Sequence, residues 1–447
     1  MLNILFVADN RDGRNIGCRG SSIALKDILS EKFMVKDIIT REEKLAFHSG
    51  INLSWYTEEN IKLISSHNYD KYQEIVTRIK RVDMVVINGE GSFIFKTNYP
   101  RIEMLNFLVY CRICIQYNIP FFIVNTIFSA SSDEESNGLQ QNDLNLVTLD
   151  ETIKIFRFAQ LITVRDMQSY NLIKSYDMNN SINIKYIPDA LFTWFDFYNN
   201  KINIKNLDYI LKYPNFSLSH DCHENVLPKF DFNHEYVLFS GTSFSGTSQD
   251  NNLSGKKFVS LANELKKMLS LYNTRLYLLE ACDGDSAFRS IIPKETGIPY
   301  IPVTTNIFLL GRLLGRCLCY VSGRYHPSIL ASLGGASCVF MGSNSHKTTS
   351  LQAVLNYPDK ERQTFQAYPD DDEINNIVLK VQNIVEKRKD RNFIKKVCET
   401  NSDIAKRLPD LMIDCLKRKC FYNNNEISGF FDSIQDGNAE TLFLRPE

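Results

Sequence analysis

What this chain lacks narrows its class before any motif is read. It has no run of about 18 apolar residues, so no membrane-spanning helix is expected. It has almost no charge of either sign in excess: 51 Lys and Arg stand against 52 Asp and Glu, for a formal net charge of -1. That balance gives no general pull toward nucleic acid, and only local basic patches remain to be considered. It has no disulfide framework, because its eleven cysteines are odd in number and scattered. Reduced thiols in a cytoplasmic protein are the simpler reading. It shows no charged leader or cleavage site before its apolar start, Met1-Leu2-Asn3-Ile4-Leu5-Phe6-Val7-Ala8, which reads as a buried first strand. Its one dense metal-ligand cluster is His220-Asp221-Cys222-His223, and no second pair has suggestive spacing. No metal or cofactor is expected.

What is present is an alternation of short apolar runs and helical stretches. Asn3 to Ala8, Asp83 to Asn88, Pro120 to Asn125 and Leu161 to Val164 are continuous apolar runs, and helical periodicity fills 22–33. Such runs argue for a parallel sheet covered on both faces. The stretch 199–233 changes character, being rich in Asn, Lys and Tyr, and reads as an interdomain connection. A second series starts at Tyr236 and continues through Arg275–Glu280, Cys317–Ser322 and Ser337–Met341. The expected organisation is α/β, with two Rossmann-like domains facing a central cleft. An N-terminal domain over 1–198 forms the acceptor side. The connection 199–233 leads to a C-terminal, donor-side domain over 234–380, and a helical segment over 381–447 follows.

Ligands in such sheets sit beyond the carboxyl ends of the strands. Four segments there stand out. The first is Asn15-Ile16-Gly17-Cys18-Arg19-Gly20-Ser21-Ser22, read as a glycine loop just before a helix, with Ser21 or Ser22 as its N-cap. The second is Asn88-Gly89-Glu90-Gly91-Ser92, read as a tight turn ending a buried strand. The third is Val164-Arg165-Asp166. A buried arginine needs an anionic partner, which a ligand or a protein carboxylate can supply, and Pro188-Asp189-Ala190 follows about twenty residues later. The fourth is Ser322-Gly323-Arg324-Tyr325-His326-Pro327, a strand-to-helix junction, with Ser343-Asn344-Ser345-His346-Lys347 ending the next strand. His326, flanked by Arg324 and followed by Lys347, is the strongest catalytic candidate. His346 reads as a loop residue.

In this order the motifs resemble the polysaccharide pyruvyltransferase family over roughly residues 4–348, most specifically through Arg-x-His followed about twenty residues later by Lys. The resemblance implies a GT-B-like fold, with Arg165, His326 and Lys347 matching the family's catalytic arginine, histidine and lysine. It implies a donor, phosphoenolpyruvate, whose pyruvyl group becomes a ketal on two sugar hydroxyls of a surface glycan or a lipid-linked precursor. Arg165 and Lys347 suit its carboxylate and phosphate, with Arg324 as a third cation. His326 suits the proton transfers near neutral pH. Donor contacts are expected from Arg324, Gly241, Thr242, Ser243, Ser343 and Asn344. Acceptor contacts are expected from Asn15, Gly17, Cys18, Arg19, Gly89, Glu90, Gly91 and Ser92. Two departures stand out: Cys18 occupies the place where family members often carry an acid, and Glu90 interrupts the family's glycine run. Glu90 is a candidate for the missing carboxylate.

The same frame also suits a glycosyltransferase of surface polysaccharide assembly, with Gly241 to Ser248 cradling a nucleotide-sugar diphosphate. A non-catalytic carbohydrate- or nucleotide-binding protein is a third reading. Trp55, Tyr56, Phe93, Phe95 and Trp194 are candidates for stacking on sugar rings. The basic stretch Lys387 to Lys396 reads as a solvated helix face, or as a peripheral membrane contact if the acceptor is lipid-linked.

Overall fold

The structure, a computed structural model, describes residues 1–40, 73–95, 101–129, 143–199, 234–243, 251–387 and 391–417. Two six-stranded, wholly parallel sheets organise it. The first contains β1 (Leu2–Asp9), β2 (Phe33–Thr40), β3 (Met84–Ile94), β4 (Phe121–Ser129), β5 (Leu161–Val164) and β6 (Ile184–Tyr186), in the order β2-β1-β3-β4-β5-β6. The second contains β7 (Tyr236–Thr242), β8 (Arg275–Leu279), β9 (Tyr300–Ile301), β10 (Cys319–Gly323), β11 (Ser337–Met341) and β12 (Thr364–Phe365), in the order β12-β11-β10-β7-β8-β9. Parallel pairing requires crossover connections, and helices supply them on both faces. The central strands β4, β7, β10 and β11 are therefore buried along their whole length, which is why they read as unbroken apolar runs. Strand order reverses between β1 and β3 in one sheet and between β7 and β10 in the other, the positions where this architecture opens a crevice.

Two local expectations are corrected. The segment Gly89 to Ser92 is not a turn after a strand; it lies within β3. An irregularity in the β3–β4 register absorbs it between Glu90 and Phe93, and Glu90 takes a left-handed φ of 39°. Gly89 is required because a Cβ there would meet Thr126 Cβ at 2.5 Å. The first helix starts at Ile16, not near 22, and ends at Ser30. Its cap is Asn15, whose Oδ1 accepts from the backbone N–H of Gly17 (3.1 Å) and Cys18 (3.3 Å). Cys18, Arg19, Ser21 and Ser22 are thus helical residues with fixed directions. Four strands escaped sequence reading. β2 is a half-exposed edge strand interrupted by Lys36 and Asp37, while β6, β9 and β12 have only two or three residues each.

The two sheets are joined by a continuous apolar cluster. It runs from Ile4, Phe6 and Ile23 through Trp194 and Phe197 to Ile307, Phe308 and Leu330. Trp194 stacks on Phe308 at 5.0 Å between ring centres. The helices Arg391–Ala405 and Leu408–Lys417 return to the first domain, where Lys406 pairs with Asp196 at 2.8 Å and Met412 enters the shared cluster. Backbone bonds also cross between the domains: Ile16 N–H donates to Ala281 O (3.0 Å) and Asp283 N–H to Arg14 O (3.2 Å). These tie the segment after β1 to the segment after β8.

Among the described residues, no helix is long and apolar enough to cross a membrane, and no group of three or more His, Cys, Asp or Glu is placed to hold a metal ion. The nine cysteines described are all free. His220 to His223, Trp55, Tyr56, all but Asn199 of the 199–233 segment, 388–390 and 418–447 lie outside the described residues.

Candidate active site in the interdomain cleft

Arg165 directly follows β5 in the first domain, and His326 is the second residue of the helix Tyr325–Leu333 after β10 in the second. Pro327 fits this helix's first turn, where no backbone donor is needed. Arg165 is 2% exposed and cannot be buried alone. Asp189 answers it, with its Oδ2 2.6 Å from Arg165 Nη1. The same Nη1 lies 2.8 Å from His326 Nε2, and Nε2 lies 3.1 Å from Asp189 Oδ2. These contacts are exclusive in proton terms: Arg165 can donate only to a bare Nε2, and Asp189 can accept only from a protonated one. The neutral ring bonded to Arg165 therefore carries its proton on Nδ1. That nitrogen lies beside Gly17, where a Cβ would come within 2.6 Å of it. The Arg165 guanidinium also sits 4.4 Å over the Tyr325 ring.

Burial alone would raise the Asp189 carboxyl pKa, but His326, in the form that carries a proton on Nε2, and Arg165 outweigh it and hold the group well below the usual carboxylate range. Its other oxygen accepts from Ser21 Oγ (3.2 Å) and Leu191 N–H (2.9 Å). The network continues through Asn125 Nδ2 to Ser21 Oγ (2.8 Å) and Asn88 Oδ1 (3.3 Å), then from Asn88 Nδ2 to Ser22 Oγ and Glu90 Oε1 (both 3.1 Å). A buried polar chain so links Glu90 on β3 to His326 on the opposite domain. Satisfied networks of this kind hold one geometry.

Lys347 begins the helix Lys347–Val354 after β11 and donates to Asn344 Oδ1 at 2.6 Å. Its ammonium pKa is pushed well below the ordinary lysine value, first by desolvation and then by Arg101, Arg324 and Arg165, with Cys18 opposing. Arg101 bonds Gly91 O at 2.6 Å, and Arg324 pairs with Asp285 Oδ1 at 2.5 Å. The hydroxyls of Ser343, Ser345 and Thr348 are buried without a hydrogen-bond partner among the described residues. Three arginines thus converge on Lys347, and three unsatisfied hydroxyls flank it in the chain.

The other sequence candidates are placed less uniformly. Gly241 and Thr242 end β7 and Ser243 follows; Gly241 O accepts from Ser322 Oγ (2.9 Å), and a Cβ at Gly323 would meet Thr242 Cβ at 2.8 Å. This packs them against the strand bearing Arg324, while 244–248 lie outside the described residues. Arg19 reaches across to Val303 O (3.2 Å), Cys18 is half-buried, and Gly91 and Ser92 lie on β3. Phe93, Phe95 and Trp194 are core, at 0%, 1% and 4% exposure. Sequence reading passed over three contributors. Asp189 was seen only as a brace for Arg165, Arg101 had no motif, and His346 is no loose loop residue. His346 is buried, with Nε2 3.0 Å from Asp166 Oδ1.

The fold and cleft define a two-domain α/β transferase frame of the GT-B-like kind. Among solved structures, the chain resembles UDP-GlcNAc 2-epimerase from Neisseria meningitidis (11% identity, TM-score 0.54, covering 94% of this chain and 100% of that one). It also resembles UDP-N-acetylglucosamine 2-epimerase from Rickettsia bellii (13% identity, TM-score 0.54, 95% and 100%). At such identities the likeness is one of fold alone. None of the curated proteins matches the chain in sequence. The description of the polysaccharide pyruvyl transferase family matches residues 21–345, well over half the chain, and the chain belongs to that family.

Proposed function

We propose that this transferase moves the pyruvyl group of phosphoenolpyruvate onto two hydroxyls of one sugar in a surface glycan or its lipid-linked precursor. The observation that carries the reading is the convergence of Arg101, Arg324 and Arg165 on Lys347, with His326 bonded to Arg165, a cationic site far richer than a neutral acceptor needs. Phosphoenolpyruvate is small and carries both a carboxylate and a phosphate. Arg165 and Lys347 bind those groups, and Arg324 adds charge where phosphate departs. Ser343, Ser345, Thr348 and Asn344 add neutral donors beside Lys347, with Gly241, Thr242 and Ser243 on the neighbouring strand end.

In the reaction, two sugar O–H bonds break and two C–O bonds form to the central carbon. One proton goes to the methylene carbon, and the C–O bond to phosphate breaks, releasing inorganic phosphate with the second proton. His326 moves the proton at Nδ1, the nitrogen that Arg165 and Asp189 leave alone. Glu90 supplies the acceptor-side carboxylate that Cys18 does not, through the chain Asn88, Ser22, Asn125 and Ser21. The acceptor lies along Asn15, Gly17, Cys18 and Arg19 and the Gly89–Ser92 segment.

The test is phosphate release from phosphoenolpyruvate with candidate saccharides, run beside nucleotide release from nucleotide sugars. His326→Ala should lower turnover by about 10²–10⁴-fold while leaving donor binding within a few-fold. Turnover of nucleotide sugars alone, or unchanged turnover in His326→Ala, overturns the reading.

A further inference from the structure

Arg165 and Lys347 enter the cleft from different domains, at the end of β5 and after β11. Each is the chain neighbour of one member of a second buried pair. Asp166 follows Arg165, and His346 precedes Lys347. His346 Nε2 lies 3.0 Å from Asp166 Oδ1 and 3.2 Å from Ser169 Oγ. Asp166 and Ser169 are fully buried and His346 is 7% exposed. Both ends of this pair are anchored. Asp166 caps the helix Met167–Tyr176, accepting from Ser169 N–H (2.7 Å) and from Ser169 Oγ (3.0 Å). His346 O accepts from Ser350 N–H at 2.8 Å, the first backbone bond of the helix that Lys347 opens. Ser169 is no nucleophile, because its Oγ is committed to Asp166 and also accepts from Phe128 N–H (3.0 Å).

We infer that Asp166 and His346 form a positioning pair that holds Arg165 and Lys347 in fixed register across the cleft. Adjacent Cα atoms are about 3.8 Å apart, so a bond between the pair pins the backbone one residue from each cation. The bond between Asp166 and His346 spans the two domains one residue away from each cation, outside the place where substrate must bind. The tie presets the cation spacing before any anion arrives, which is the economy of preorganisation. It rests on the pyruvyl-transfer reading only for the identity of the donor.

The experiment compares the full-length parent with His346→Ala, His346→Gln and Asp166→Asn. Glutamine keeps a donor of similar reach toward Asp166; asparagine keeps the helix cap and removes the charge. Titration calorimetry measures the Kd of phosphoenolpyruvate, and amide hydrogen exchange is followed without ligand at residues 165–169 and 344–347. His346→Ala should weaken binding about tenfold and speed exchange in both segments, one in each domain. His346→Gln should recover most of both effects, and Asp166→Asn should behave like His346→Ala and carries the test where that variant fails to fold. The pair is overturned if folded His346→Ala keeps the parental Kd within twofold and the parental exchange, or if His346→Gln loses as much as His346→Ala. If the parent does not bind phosphoenolpyruvate, the donor reading falls, and exchange alone decides whether the tie exists.

Discussion

Gly17→Ala is the most discriminating single change. An ideal Cβ at Gly17 would lie 2.6 Å from both His326 Cβ and Nδ1, and 2.9 Å from Cγ. Ordinary contacts to carbon sit at about 3.5–4.0 Å, so the histidine must retreat by about 1 Å. Its Nε2 contacts, at 2.8 Å to Arg165 and 3.1 Å to Asp189, do not survive such a shift. A misplacement of that size costs about 10²-fold in rate. Overpacking costs about 1–3 kcal/mol of stability, offset by about 0.5–1 kcal/mol because alanine suits a helix better than glycine. Phosphate release and thermal unfolding read the two effects. The decisive control is the same substitution made with His326→Gly; glycine rather than alanine, because the Cβ is itself one of the closest contacts. With that side chain gone, Gly17→Ala should be neutral or stabilising by up to about 1 kcal/mol. An equal stability penalty in both backgrounds would refute the proposed clash and the close approach of Gly17 to the ring.

Three further outcomes follow from the same cluster. Asp189→Asn leaves Arg165 buried without its carboxylate and should cost about 3–5 kcal/mol in denaturant unfolding; a loss under 1 kcal/mol would mean the pair is solvated. Asp166 and Asp189 both have carboxyl pKa values depressed below 3.8, despite burial acting the other way, through His346 for one and through His326 and Arg165 for the other. Their stabilising contribution is present above the unfolded pKa of about 3.9 and is lost as pH falls through the folded values, so unfolding temperature should drop below about pH 4, less steeply in Asp189→Asn. Lys347 has a lowered pKa, so a bound anion should draw a proton onto it. Calorimetry of phosphoenolpyruvate binding in buffers of different ionisation enthalpy should then show proton uptake at pH values between the free and the bound pKa of Lys347, absent in Lys347→Met; an enthalpy independent of buffer would refute this.

The sequence disclosed the parts of this fold whose burial is complete. β5 and β11 were read at their observed limits, because four or five consecutive apolar residues leave no other arrangement for a parallel strand. Edge strands such as β2 carry polar residues on a solvated side, and two-residue strands carry no period at all. Arg165, His326 and Lys347 were legible because charged residues at strand ends are costly and therefore conspicuous. Of their partners, Asp189 was legible only as a brace for Arg165, 24 positions away in the same domain. Its contact with His326, 137 positions on, and that of His346 with Asp166, 180 positions apart, come only from the packing of two domains. The helix start was misplaced because Ser21 and Ser22 are good caps locally, whereas Asn15 wins by bonding two backbone donors at once.

That difference bears on the residue that breaks the family pattern. Read as a loop, Cys18 looked like a lost acid at the acceptor's door. On a helix capped by Asn15, Cys18 occupies the first turn, and Ser21 and Ser22, three and four positions on, face inward into the chain that joins Asp189 to Glu90. A carboxylate at position 18 would stand near Lys347, whose ammonium Cys18 already influences. Glu90 places its carboxylate on β3, buried among Asn88 and Ser22, where against burial it joins Asp189 and Tyr325 in raising the Arg165 pKa. The resemblance thus implies two places for one negative charge, the helix beside Lys347 and the strand behind Arg165. Glu90→Gln should then lower turnover alone, whereas Glu90→Gln combined with Cys18→Asp should recover part of it. A double variant no more active than the single one would show that the two positions do not trade the same charge.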